Sequence, residues 1–179
     1  MNAKTIVITG GPGTGKSSII NELKRRAHFC FDEISRQVTL EARQNGIEQL
    51  FLTDPLLFSE LLLKGRLNQY NEAKTCNENH VFMDRGLPDI LAYMNYKKTE
   101  CPHYFFETCK VNTYDHIFVL APWQDIFKSD SERYENFEQA IQIHDHLVNT
   151  YTNFGYQLID VPFGSVKKRT DFILDALTL

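Results

Sequence analysis

The stretch "TIVITGGPGTGKSS" (Thr5–Ser18) decides the fold. An apolar, β-branched run leads straight into a glycine-rich loop and then into a helix-forming pattern. Residues Gly10 to Ser17 fit G-x-x-x-x-G-K-[ST] in the strand–loop–helix context that the pattern requires. The glycines let successive backbone N–H groups point inward around an anion, and the helix N-terminus adds its positive dipole end. Phosphate contacts are therefore expected from Gly11, Pro12, Gly13, Thr14, Gly15, Lys16, Ser17 and Ser18. Lys16 reaches the β- and γ-phosphates in this reading, and the Ser17 hydroxyl ligates Mg²⁺.

Outward from that loop, five apolar runs alternate with longer helical patterns, the signature of βαβ units around a parallel sheet. The runs are Thr5–Thr9, His28–Phe31, Val81–Met83, His116–Leu120 and Tyr156–Val161. Helices are expected from about Lys16 to Arg26, from Asp32-Glu33 to about Asn45, over residues 53–67, through "ILAYMNY", up to about Tyr151, and from near Ser165. "TDPLLFSELLLKGRL" (53–67) has a capping residue, a first-turn proline and a broad apolar face, which predicts a long buried helix. The polar segment 121–137 interrupts this order and reads as a mobile excursion, with a lid over 121–136. Neither repeat nor linker divides the chain, so residues 1–179 are expected to form one domain.

Composition narrows the class. The chain has 179 residues, 42% hydrophobic and 23% charged, with a net charge of −4. It offers no global electrostatic case for nucleic acid or an anionic membrane. No stretch approaches the roughly 20 apolar residues of a membrane span, and Met1 leads directly into a strand, so a cytoplasmic protein is expected. The four cysteines show neither C-x-x-C nor a zinc spacing and read as reduced thiols. The basic runs Lys24-Arg25-Arg26 and Lys167-Lys168-Arg169 read as solvated helix faces.

In such a sheet, ligands gather at the carboxyl ends of the strands. Those ends carry Asp32-Glu33, Asp84-Arg85, the 121–133 excursion and Pro162-Phe163-Gly164. Asp84 stands where a strand-end carboxylate holds Mg²⁺, or alternatively caps the next helix. Arg85 either binds the acceptor molecule or forms a surface ion pair. Glu33 and Arg36, three apart, share one helix face; Glu33 is a candidate general base with Arg36 beside the acceptor, or the two form a plain surface pair. Arg133, with Lys128 second, is the candidate positive charge of a lid that keeps water from the γ-phosphate. Trp123 packs under that lid, stacks on a base, or fills core. Pro162, Gly164 and Arg169 mark the last turn, where an adenine would rest on backbone.

With these pieces placed, the sequence resembles the small P-loop family of AAA-type ATPase/kinase domains. It is similar to the ribosylnicotinamide kinase domain of bacterial NAD-metabolism regulators and, more loosely, to nucleoside and nucleotide kinases. "GGPGTGKSS" (10–18), "EISR" (33–36), "DRGLPD" (84–89), "PW" with "DSER" (122–133) and "GSVKKR" (164–169) carry the likeness, in order, over nearly the whole chain. The resemblance implies a three-layer α/β/α fold with a five-stranded parallel sheet of order 2-3-1-4-5, and ATP and Mg²⁺ as cofactors. It gives Lys16, Ser17 and Asp84 the phosphate and metal roles and Arg133 the lid role. The lid departs from the family pattern, with six residues between Trp123 and Asp130 and Ser131 in place of a glycine.

The expected activity is a Mg²⁺·ATP-dependent phosphotransferase acting on a small nucleoside-like or vitamin-like acceptor. A regulatory or hydrolytic ATPase is the alternative. A GTPase is disfavoured because no D-x-x-G glycine is present and the only N-x-x-D, Asn112 to Asp115, precedes a strand. The ring-forming AAA+ machines are disfavoured because only one helix follows the fifth strand, and ABC-type ATPases because their signature loop is missing. The acceptor and the oligomeric state, a homo-oligomer included, stay open.

Overall fold

A computed structural model describes residues 3–127 and 135–179. Five strands form one sheet of order β2-β3-β1-β4-β5: β1 Lys4–Gly10, β2 Phe29–Phe31, β3 His80–Asp84, β4 His116–Leu120 and β5 Leu158–Asp160. All neighbouring pairs are parallel. The helices are α1 Lys16–Arg25, α2 Ile34–Gln44, α3 Leu50–Thr53, α4 Pro55–Thr75, α5 Leu87–Lys97, α6 His103–Val111, α7 Phe137–Asn153 and α8 Val166–Ala176.

Strand side chains alternate between two cores, as a sheet covered on both faces requires. Val7, Val81, Met83 and Ile117 pack with Leu62, Leu63, Leu87, Ile90, Phe105 and Tyr151 on one face. Ile6, Ile8, Phe82, Phe118 and Leu120 pack with Ile19, Leu23 and Ile173 of α1 and α8 on the other. Each fully buried large side chain contributes roughly 1.5–3 kcal/mol. Register sets the working rim: Ile8 lies beside Asp84, and Gly10 beside Leu120. The ends of β3, β1 and β4 thus arrive at one edge together.

Three sequence expectations change. The helix expected over 53–67 starts at Pro55, with Asp54 accepting from the Leu57 N–H at 3.0 Å, and runs on to Thr75. After Leu67 the helix continues through the good helix formers Gln69, Glu72, Ala73 and Lys74 and carries Tyr70 and Ala73 inward. Its first turns are less buried than their apolar pattern suggests, with Leu56, Leu57 and Leu61 all partly exposed. Helix α6, entered from Pro102, was not expected, because a nine-residue aromatic segment has little period to read. Finally, Arg169 is no solvated cation. Each helical residue turns about 100°, so Lys167 and Lys168 face outward while Arg169 faces inward with Thr170 and Ile173.

Candidate active site

The loop after β1 has the backbone its glycines require. Gly13 (φ 72) and Gly15 (φ 88) occupy the left-handed region, and Gly15 is the N-cap of α1. A Cβ at Gly15 would also stand 2.8 Å from Arg169 Nη1. Arg169 Nη2 donates to the Thr14 carbonyl at 2.8 Å, so α8 buttresses the loop from beneath. Lys16 is buried and donates to the carbonyls of Gly10 and Gly11, both at 2.7 Å. Burial, followed by the charge of Arg85, lowers its pKa to about 7. Ser17 and Ser18 stand exposed on the first turn of α1.

Asp84 ends β3, buried beside this loop. Among the described residues its Oδ1 has no hydrogen-bond partner, and burial together with the nearby Glu33 charge raises its pKa to about 6. An orphaned carboxylate oxygen and an exposed serine hydroxyl are hard oxygen donors of the kind Mg²⁺ takes. Among the described residues there is no group of three or more His, Cys, Asp or Glu able to hold a metal. A cation here would complete its shell from hydroxyl, phosphate and water.

Beyond Asp84 lies a buried polar network. Glu33, the N-cap of α2, accepts from Ser35 N–H (3.4 Å) and Arg66 Nη2 (2.9 Å) on Oε1, and from Arg85 Nε on Oε2. Burial pushes the Glu33 carboxyl up, but Arg85 and Arg66 outweigh it and hold the pKa at about 2. Arg85 sits in a left-handed turn (φ 75), lies over the Tyr93 ring at 5.1 Å, and reaches Asp89 Oδ1 at 3.2 Å. Asp89 also accepts from Thr9 Oγ1 (2.6 Å), Gly86 N–H (2.9 Å) and Tyr151 OH (2.6 Å). It thereby ties the end of β1, the turn after β3 and α7 together.

The structure brings Lys16, Glu33, Asp84 and Arg85 together. It leaves Arg36 exposed on α2, outside this network, because Glu33 caps the helix and turns inward instead of facing Arg36. Pro162 and Gly164 lie on the loop between β5 and α8, and Phe163 between them stacks on Trp123 (5.0 Å, 18°). Of the expected lid, the turn 123–127 lies against the phosphate loop. Phe127 closes over Gly13, and Ile126 approaches Gly15. Arg133 and Lys128 lie outside the described residues.

Sequence reasoning gave no role to Arg66, Asp89 or Tyr151. Arg66 was signalled by its place in a buried stripe, Ser59–Leu62–Leu63–Arg66–Tyr70–Ala73. A cation at helical spacing within an otherwise inward-facing stripe needs a partner.

With strand order, loop geometry and rim in place, comparison with known proteins agrees with them. The sequence matches the AAA domain family over residues 5–169. The chain belongs to this AAA domain family. No curated protein matches the sequence significantly. Among solved structures, deoxyadenosine kinase from M. mycoides with dCMP and dCDP is similar with a TM-score of 0.71 at 19% identity, over 97% of this chain and 98% of that one. The NadR protein in complex with NR is similar with a TM-score of 0.71 at 18% identity, this chain spanning 98% of itself and half of NadR. Thymidylate kinase from Candida albicans gives 0.67 at 15% identity, over 99% and 92%. At these identities the likeness establishes the fold, that of P-loop nucleoside and nucleotide kinases. No helix among the described residues is long and apolar enough to cross a membrane.

Proposed function

We propose that this domain is a cytoplasmic, Mg²⁺·ATP-dependent phosphotransferase that moves the γ-phosphoryl group to a hydroxyl of a small nucleoside-like or vitamin-like acceptor. The observation that carries this reading is Glu33, held between Arg66 and Arg85 on the rim that also carries Lys16 and Asp84. A carboxylate offers about four acceptor positions. Three are taken, leaving one on Oε2 for a hydroxyl.

In this mechanism the loop N–H groups and Lys16 hold the phosphates, Lys16 exchanging its own loop carbonyls for phosphate oxygens. Ser17 and Asp84 would hold Mg²⁺, which when bound neutralises charge on the β- and γ-phosphates. Glu33 orients the acceptor hydroxyl, whose oxygen attacks the γ-phosphorus as the bond to ADP breaks, the hydroxyl proton passing to an oxygen of the transferred phosphoryl group. A carboxyl with a pKa of about 2 is a weak proton sink. Its contribution is therefore alignment, which a loose phosphoryl-transfer transition state needs more than a strong base. Arg85, fixed by Asp89 and Tyr93, faces the same acceptor. The base of ATP rests between the 123–127 turn and the Pro162–Gly164 loop, and Arg133 supplies the lid charge.

Glu33→Gln separates this reading from an ATPase or nucleotide switch. It should leave ATP affinity by calorimetry unchanged and lower acceptor-stimulated ADP release by about 10²-fold through lost alignment. Full activity, or lost ATP binding, rejects the role given to Glu33.

A further inference from the structure

The grip on Glu33 has the form of an anion site already filled. Two guanidinium groups from separate elements, Arg66 of α4 and Arg85 of the turn after β3, converge on one carboxylate. Arg66 is almost wholly buried and is braced by the Gly86 carbonyl at 3.0 Å, and its Nε has no partner among the described residues. Arg85 is braced by Asp89 at 3.2 Å and by the Gly10 carbonyl at 3.3 Å. Paired, buried and pre-oriented guanidinium groups are how proteins recognise phosphate.

We propose that Glu33 is the specificity-determining residue of the acceptor site: its carboxylate occupies the seat between Arg66 and Arg85 that an acceptor phosphate would take, and so restricts the site to uncharged hydroxyl acceptors. The proposal rests on the acceptor lying beside Glu33, as in the function above. With Glu33 in place, three cations (Lys16, Arg66, Arg85) face three acids (Glu33, Asp84, Asp89). A monophosphate entering this balanced site meets a like charge where Arg66 and Arg85 converge. Removing the Glu33 charge leaves both arginines oriented by Gly86, Asp89 and Gly10, and tips the balance toward anion binding. One carboxylate thus does two things. Its free lone pair aligns a hydroxyl, and its charge turns away a phosphate.

The test is a calorimetric titration with inorganic phosphate after the phosphate loop has been filled with Mg²⁺·AMP-PNP. Wild type should show no phosphate binding. Glu33→Gln, which keeps the side-chain shape, and Glu33→Ala, which opens the seat, should each bind phosphate with an affinity at least about tenfold above the weakest that the titration detects. Adding Arg66→Met to either variant should abolish the gain. Phosphate binding by wild type at this second site overturns the proposal and needs no variant. Equal behaviour of wild type and the folded single variants overturns it too, as does a gain that survives Arg66→Met. AMP-PNP binding is recorded first in every protein. Its absence from wild type contradicts the nucleotide reading itself, whereas failure of the proposal alone leaves it intact.

Discussion

At the scale of single residues, the site is held by charges that would be unstable alone. Lys16→Ala should weaken ATP binding by roughly 1.5–3 kcal/mol through loss of a charge-assisted contact, and calorimetry showing unchanged affinity would remove Lys16 from the phosphate role. Arg66→Met leaves Glu33 buried with one cation, Arg85, and should destabilise the fold by about 3 kcal/mol in denaturant unfolding at neutral pH. The pH dependence follows from sign. The Glu33 pKa is depressed from 4.5 to about 2, so its stabilisation is complete above about 4.5 and is lost as pH falls toward about 2. The stability gap between wild type and Arg66→Met should therefore narrow over that window. A gap independent of pH would show that Arg66 does not hold the Glu33 charge. Local sequence showed Glu33 and Asp84 as strand-end acids, but the two arginines that grip Glu33 lie 33 and 52 residues away in the chain, and only the closed sheet brings them together. Glu33–Arg36 was the pairing visible at helical spacing. The long-range pairs replaced it because they are buried, and burial strengthens a charged hydrogen bond.

At the scale of elements, the phosphate loop depends on a helix more than 150 residues away. Arg169→Ala removes the α8 brace on Thr14 and should cost about 1–3 kcal/mol of stability while also weakening nucleotide binding. Thermal unfolding with and without ATP separates the two effects, and an unchanged ATP-dependent shift would limit Arg169 to the fold. Tyr151→Phe deprives Asp89 of one of four donors and should cost about 1–2 kcal/mol. The strands and most helix ends could be read from the sequence, because buried parallel strands are continuous apolar runs and caps such as Asp54, Gly46 and Ser165 mark their boundaries. Asp89 could not be read so easily. Within "DRGLPD" it looks like a first-turn acid at the N-terminus of α5, and that position by itself explains an aspartate. Its bonds to Thr9 and Tyr151 arise only when β1 and α7 pack against α5.

At the scale of the whole molecule, the phosphate loop, the acid–arginine network and the aromatic pair on the last loops meet at the carboxyl edge of one sheet. Trp123 is the only tryptophan, and its stacking on Phe163 makes it a reporter for that edge. Nucleotide entering between the two loops should change its emission, and the change should be lost in Lys16→Ala at concentrations that saturate wild type. An emission unaffected by bound nucleotide would place the base elsewhere. A carboxylate poised to align a hydroxyl can equally align a water, so transfer and hydrolysis are told apart by whether an acceptor drives the reaction. The most direct measurement is ADP release from Mg²⁺·ATP across a panel of nucleosides and other small alcohols, with Asp84→Asn as the blank. At least one neutral hydroxyl acceptor should stimulate ADP release well above the basal rate in wild type and not in Asp84→Asn. ADP release in wild type that is the same with every acceptor as with none would contradict it.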